Sequence, residues 1–99
     1  MLNITKNIHE IELTVVLTGR LDTTTAPELE KELKASLDGV SALTIDMAAL
    51  EYISSAGLRV LLSAQKTMNK QGEMKVVHVG ETIMEIFEVT GFSDILSIE

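Results

Sequence analysis

At 99 residues, the chain has room for one domain built on a single core, and too little for a core plus a separate catalytic lobe. With 45% hydrophobic and 23% charged residues it falls outside the disordered class, and its lack of cysteine excludes disulfides, thiolate metal sites and a cysteine nucleophile. Fifteen acidic against eight basic side chains, a formal charge of −7 and 3% aromatic residues disfavour nucleic acid, anionic lipid and base stacking, so a protein is the default partner.

No apolar stretch approaches the roughly 18 to 20 residues that span a bilayer. The start Met1-Leu2-Asn3-Ile4-Thr5-Lys6 lacks the basic opening and apolar centre of a signal peptide. A soluble, cytoplasmic protein is expected.

Alternation from Leu2 to Ile8 predicts a half-buried strand, and the more apolar run from Ile11 to Thr18 a second, antiparallel to the first across a turn at Asn7 to Glu10. Gly19 is expected to end that strand, leaving Arg20 to Thr24 as a polar loop. Thr25 and Glu28 have capping-box spacing, Pro27 suits a first helical turn, and Leu29, Leu33 and Leu37 recur every four residues; Gly39 is the expected stop. Glu30 and Lys34 form a favourable i,i+4 pair.

Leu43 to Met47 reads as a short interior strand, buried on both faces as parallel strands are. A second helix is predicted from Ser55 to Gln71, stopped by Gly72. Its apolar residues cover more than one narrow stripe, so much of it should be buried. Lys75 to Val79 reads as another interior strand. Thr82 and Glu85 repeat the capping-box spacing and open a third helix with Ile83, Ile86 and Phe87 inward and Gly91 beyond its end. Ile95 to Ile98 suggests a final short strand. The order β-β-α-β-α-β-α-β specifies one α/β domain over residues 1–99, with a mixed, mainly parallel sheet of four to five strands flanked by helices.

The segment Tyr52-Ile53-Ser54-Ser55-Ala56-Gly57-Leu58 places two hydroxyls where a strand hands over to a helix. One serine is expected to cap the helix, serine being a leading N-cap residue. The other is expected to point outward, beside backbone N–H groups that suit a phosphate. A serine hydrolase is the competing class, but it needs a histidine held against the nucleophile. The segment is not Gly-x-Ser-x-Gly, and His9 falls in the first turn while His78 falls inside an apparently buried strand. Asp46, closing an interior strand, could accept hydrogen bonds from the serine loop. Asp22, Thr23 and Thr24 are turn-forming residues before the first helix. Asp22, Asp46 and Glu51 lack the spacing of a metal site, and no cofactor is implied.

The serine segment, with Asp46 ahead of it and Gly19-Arg20-Leu21-Asp22 on the neighbouring connection, resembles the STAS domain, specifically the small bacterial anti-sigma factor antagonists, over nearly the whole chain. The resemblance implies a non-catalytic module. Its acceptor serine, Ser55 here, would be phosphorylated by an anti-sigma factor of the serine-kinase type and restored by a phosphoserine phosphatase. The unmodified form would bind the anti-sigma factor and free the sigma factor. A monomer when free is expected. The expected partner-facing residues are Asp22, Thr23, Thr24, Ser54, Ser55, Ala56, Gly57, Leu58 and Arg59. Where many members carry aspartate before the acceptor, this chain has Ser54, which removes a charge beside the phosphate and adds a second hydroxyl. A STAS subunit of a lipid or anion transport complex, or of another signalling pathway, is the alternative reading.

Overall fold

A computed structural model describes all residues, Met1–Glu99. Strands β1 (Leu2–His9) and β2 (Glu12–Leu21) form the expected antiparallel hairpin. Helix α1 (Ala26–Ser36) then leads to β3 (Ala42–Ile53), α2 (Ser55–Gln71) to β4 (Glu73–Val77), and α3 (Glu81–Thr90) to a short 3-10 turn at Phe92–Asp94. The sheet has four strands in the order β1-β2-β3-β4, with β2, β3 and β4 parallel.

Because the parallel strands follow one another in sequence order, each crossover steps in the same direction, and crossovers of one hand then lay their helices on the same face. Accordingly, Leu29 and Leu33 of α1, Leu61 and Met68 of α2, and Ile83 and Phe87 of α3 join a single core with Leu13, Val15, Leu17, Leu43, Ile45, Met47, Met74 and Val76. The alternate residues Thr14, Val16, Thr44 and Asp46 are only half-buried. The expectation that β3 is buried on both faces is therefore corrected: it is buried on one face, and its apolar residues alternate. The edge strand β1 turns Lys6 inward, where its ammonium meets Glu32 at 2.6 Å and Ser36 at 3.0 Å, a charge that disfavours pairing with a further strand.

Several boundaries differ from expectation. Gly19 does not end β2, because the strand continues through Arg20 and Leu21 in register with Tyr52 and Ile53. Likewise β3 runs well beyond Met47. Its register with β2 shifts between Val16/Asp46 and Thr18/Ala49, a bulge that keeps the two strands paired to their ends. Asp46 anchors this bulge: its Oδ1 accepts the Ala48 N–H at 3.0 Å and lies 3.1 Å from His78 Nδ1. It therefore does not serve the serine loop. His78 is not in a buried strand either; it follows β4, exposed, with a left-handed φ of 57°.

Neither capping box forms. Thr25 is the N-cap of α1, but its hydroxyl accepts from Asp22 N–H (2.8 Å) and donates to Arg20 carbonyl (2.8 Å). Helix α3 begins earlier than Thr82, at Glu81, with Gly80 as N-cap and an acidic first turn that complements the helix dipole. The segment from Ile95 to Ile98 contributes one parallel bridge, Val76 with Ile98, rather than a strand. Leu96 is buried beside it.

Gly72 ends α2 for a steric reason. A Cβ there would lie 1.9 Å from the Ser41 carbonyl oxygen, a backbone atom that cannot swing aside, whereas a Cβ on Gly80 would meet nothing within 4 Å. Gly72→Ala is expected to cost about 1–3 kcal/mol by overpacking, whereas Gly80→Ser, at an open N-cap that favours serine, should be neutral or raise stability by a few tenths, read as change of melting temperature. The Ala48 N–H foremost, with His78 adding to it, holds the Asp46 carboxyl below its ordinary 3.8. A lowered folded value means that Asp46 stabilises the fold above that pH and ceases to as pH falls through the folded value. Asp46→Asn should therefore be less stable than the parent near neutrality, with the gap closing below about pH 3.8 in urea titrations across pH.

Candidate functional site

The parallel pairing of β2 with β3 ends at Leu21 and Ile53, so the two strand-to-helix junctions emerge side by side at the end of the sheet where its two central strands finish, the rim called the serine edge below. The Ser54 N–H donates to the Leu21 carbonyl at 2.9 Å and ties the second junction to the first. Both side chains that close the strands, Leu21 and Ile53, are buried. Gly57, in the first turn of α2, lets the helix settle on them: a Cβ there would lie 2.7 Å from Leu21 Cγ and 2.9 Å from Ile53 Cγ1.

The two serines have different environments. Ser54 is the N-cap of α2 in extended conformation; its hydroxyl accepts the Gly57 N–H at 3.4 Å, and its carbonyl accepts the Leu58 N–H at 2.9 Å. Ser55 opens the helix and is exposed. That split matches the expected division between a capping serine and an outward one. Of the remaining segment, Ala56 is half-buried and packs against the core, Gly57 and Leu58 are buried, and Arg59 is exposed. Gly57 and Leu58 thus act as packing beneath the surface, and any surface contact falls to their neighbours.

The first junction is organised around Asp22. Its Oδ1 accepts from the Thr24 hydroxyl (2.7 Å) and N–H (3.0 Å) and from the Thr25 N–H (3.1 Å). The Thr24 hydroxyl foremost, helped by these backbone donors, holds the Asp22 carboxyl below its ordinary value. The carboxylate therefore receives the Thr24 and Thr25 N–H groups, while the Thr25 hydroxyl receives that of Asp22. Thr23 and Thr24 are exposed. A shallow groove lined by Thr23, Ala26, Pro27, Ala56, Arg59 and neighbouring atoms runs between the openings of α1 and α2.

Two further residues stand here that the sequence motifs contain but to which the sequence assigns no role at the site. Arg20 and Tyr52 are register partners, and the Arg20 guanidinium carbon lies 4.5 Å above the centre of the Tyr52 ring. The sequence predicts a loop at Arg20; only the β2–β3 register sets it in β2 opposite Tyr52. The histidines lie apart from the serines. His9 pairs with Glu12 at the opposite end of β2, and His78 faces Asp46.

Comparison with known proteins sets this geometry in a family. The STAS domain family model matches residues 2–99. The chain is 38% identical over 88 residues, 87% of its length, to BtrV of Bordetella bronchiseptica, of which 76% is covered; the assignment of BtrV as an anti-sigma factor antagonist is provisional. It is 30% identical to the anti-sigma-B factor antagonist of Listeria monocytogenes, covering 99% of this chain and 90% of that one. Among solved structures, an anti-sigma factor antagonist from Mycobacterium paratuberculosis superposes with a TM-score of 0.89 at 27% identity, covering 99% of this chain and 85% of that one. By the match along its length and by its architecture, this chain belongs to the STAS domain family.

Proposed function

We propose that this chain is an anti-sigma factor antagonist whose binding is switched off by phosphorylation of Ser55. The observation that carries the reading is the exposed Ser55 hydroxyl at the first position of α2, next to a Ser54 whose own oxygen serves the helix cap. The names of the relatives support the partner class, an anti-sigma factor. Its kinase activity, a phosphatase that reverses the modification, and exchange of a monomer between partners are part of the same proposal. The surface around the serine comprises Asp22, Thr23, Thr24, Ser54, Ser55, Ala56 and Arg59.

The physics of the switch is local. A phosphoryl group adds about 1.5 to 2 negative charges and bulk to a helix N-terminus, where N–H groups tolerate an anion, so the fold should persist. At the centre of an interface the same charge must be desolvated on binding. A loss of only ~3 kcal/mol lowers affinity roughly a hundredfold. A hydrolase would need a base near Ser55. With His9 at the far end of β2 and His78 held at the bulge, the histidines supply none, which supports a binding module.

The test uses the anti-sigma factor encoded in the same genome, with ATP. Phosphate should map to Ser55 by mass spectrometry. Ser55→Ala should escape labelling and still bind, and Ser55→Asp should melt within a few degrees of the parent yet bind at least tenfold more weakly. Ser54→Ala should lose about 1 kcal/mol of stability with its cap while remaining labelled at Ser55. Labelling that moves to Ser54, or that leaves binding unchanged, would overturn the proposal.

A further inference from the structure

The chain carries two arginines and six lysines, and the two types are distributed differently over the fold. Both arginines stand at the serine-bearing edge: Arg20 at the end of β2 and Arg59 in the first two turns of α2. The lysines lie on β1, along α1, in the second half of α2 and on β4. In a chain of formal charge −7, this edge thus holds the two cations best suited to planar, two-point recognition of an oxyanion.

Arg20 is also oriented. Arg20 and Tyr52 immediately precede Leu21 and Ile53, the last core residues of their strands, so strand alternation turns them to the face opposite the helices. The Tyr52 ring supports one face of the guanidinium at 4.5 Å. Arg20 Nε forms an ion pair with Asp22 Oδ2 at 3.9 Å, too long for a hydrogen bond, and the arginine side chain remains 52% exposed. Asp22 commits its other oxygen to Thr24 and Thr25. The guanidinium is therefore held by stacking on Tyr52 and by its ion pair with Asp22, while about half of the side chain stays open to solvent. Such a fork loses little rotamer freedom on binding, and stacked Arg–Tyr pairs are the residue types that anchor interfaces.

We infer that Arg20, held on Tyr52, is a specificity-determining contact that reads a carboxylate on the anti-sigma factor, extending the docking surface from the serine edge onto the helix-free face of the sheet. The inference rests on the function proposed above. Continuity with that edge and charge complementarity choose the occupant. An acidic partner surface would be repelled by most of this molecule, and it gains local attraction at a preorganised cation whose register partner, Tyr52, lies three residues before Ser55.

The test measures the dissociation constant for the same genome-encoded anti-sigma factor by calorimetry at two salt concentrations. Arg20→Glu should weaken binding by tenfold or more. Arg20→Lys, which keeps the charge but loses the fork, should give an intermediate loss. Tyr52→Ala should weaken binding severalfold and Tyr52→Phe should not. The Arg20 variants and Tyr52→Phe should melt like the parent, while Tyr52→Ala, which loses the part of the ring packed on the sheet, should melt a few degrees lower yet fold, as checked by circular dichroism. The Arg20→Glu loss should shrink as salt rises. Undiminished binding by Arg20→Glu, while Ser55→Asp still abolishes it, would overturn this inference and leave the proposed function standing. An effect of Arg20 confined to the Ser55-phosphorylated protein would assign the arginine to the phosphoryl group instead and equally overturn it. Failure of the parent chain to bind any such factor would remove both.

Discussion

The arrangement of this molecule depends on one backbone constraint: β2 and β3 stay in parallel register to their last residues, and the Ser54 N–H closes the pairing on the Leu21 carbonyl at 2.9 Å. That bond brings two strand-to-helix junctions, thirty-odd residues apart in sequence, to a common edge. Keeping the strands paired so far takes two register shifts: one between Val16/Asp46 and Thr18/Ala49, where Asp46 sits, and a second between Gly19/Leu50 and Arg20/Tyr52. Asp46, a carboxylate that could have belonged to the site, is instead spent on the first of these bulges through Ala48 and His78.

Within that edge, polar groups divide the work of ending strands and opening helices. Asp22 gathers the N–H groups ahead of α1, Thr25 locks the turn back onto Arg20 and Asp22, and Ser54 caps α2. Once those needs are met, Ser55 is left exposed at a helix opening, with Gly57 and Leu58 packed inward beneath it. Close approach of α2 to Leu21 and Ile53 leaves no room for a side chain at Gly57, so the helix start is packed directly on the strand ends. A platform packed in this way suits a switch that acts by charge at the surface rather than by a change of shape.

The single helical layer has a functional corollary. Because the parallel strands succeed one another in order, every helix is committed to one face, and the other face carries half-buried threonine, valine and aspartate side chains. The serine edge therefore borders two different surfaces. One is a groove between α1 and α2 that includes Arg59, and the other is the helix-free sheet that carries Arg20 on Tyr52. A partner docking at the edge can take contacts from either side.

Much of this was legible in the chain alone. The 3.6-residue recurrence of Leu29 and Leu33, the apolar breadth of α2 and the alternation in β1 set element types, because periodicity follows from local geometry. The pair Ser54-Ser55 ahead of an apolar helix foretold one capping and one outward hydroxyl, because a helix start has a fixed demand for an acceptor. Strand lengths, the roles of Asp46 and His78, the failed capping boxes at Thr25 and Thr82, and the Arg20–Tyr52 stack were decided only by the tertiary structure. Each depends on register between segments distant in sequence, and register is set by the sum of cross-strand and core contacts, which no local pattern encodes.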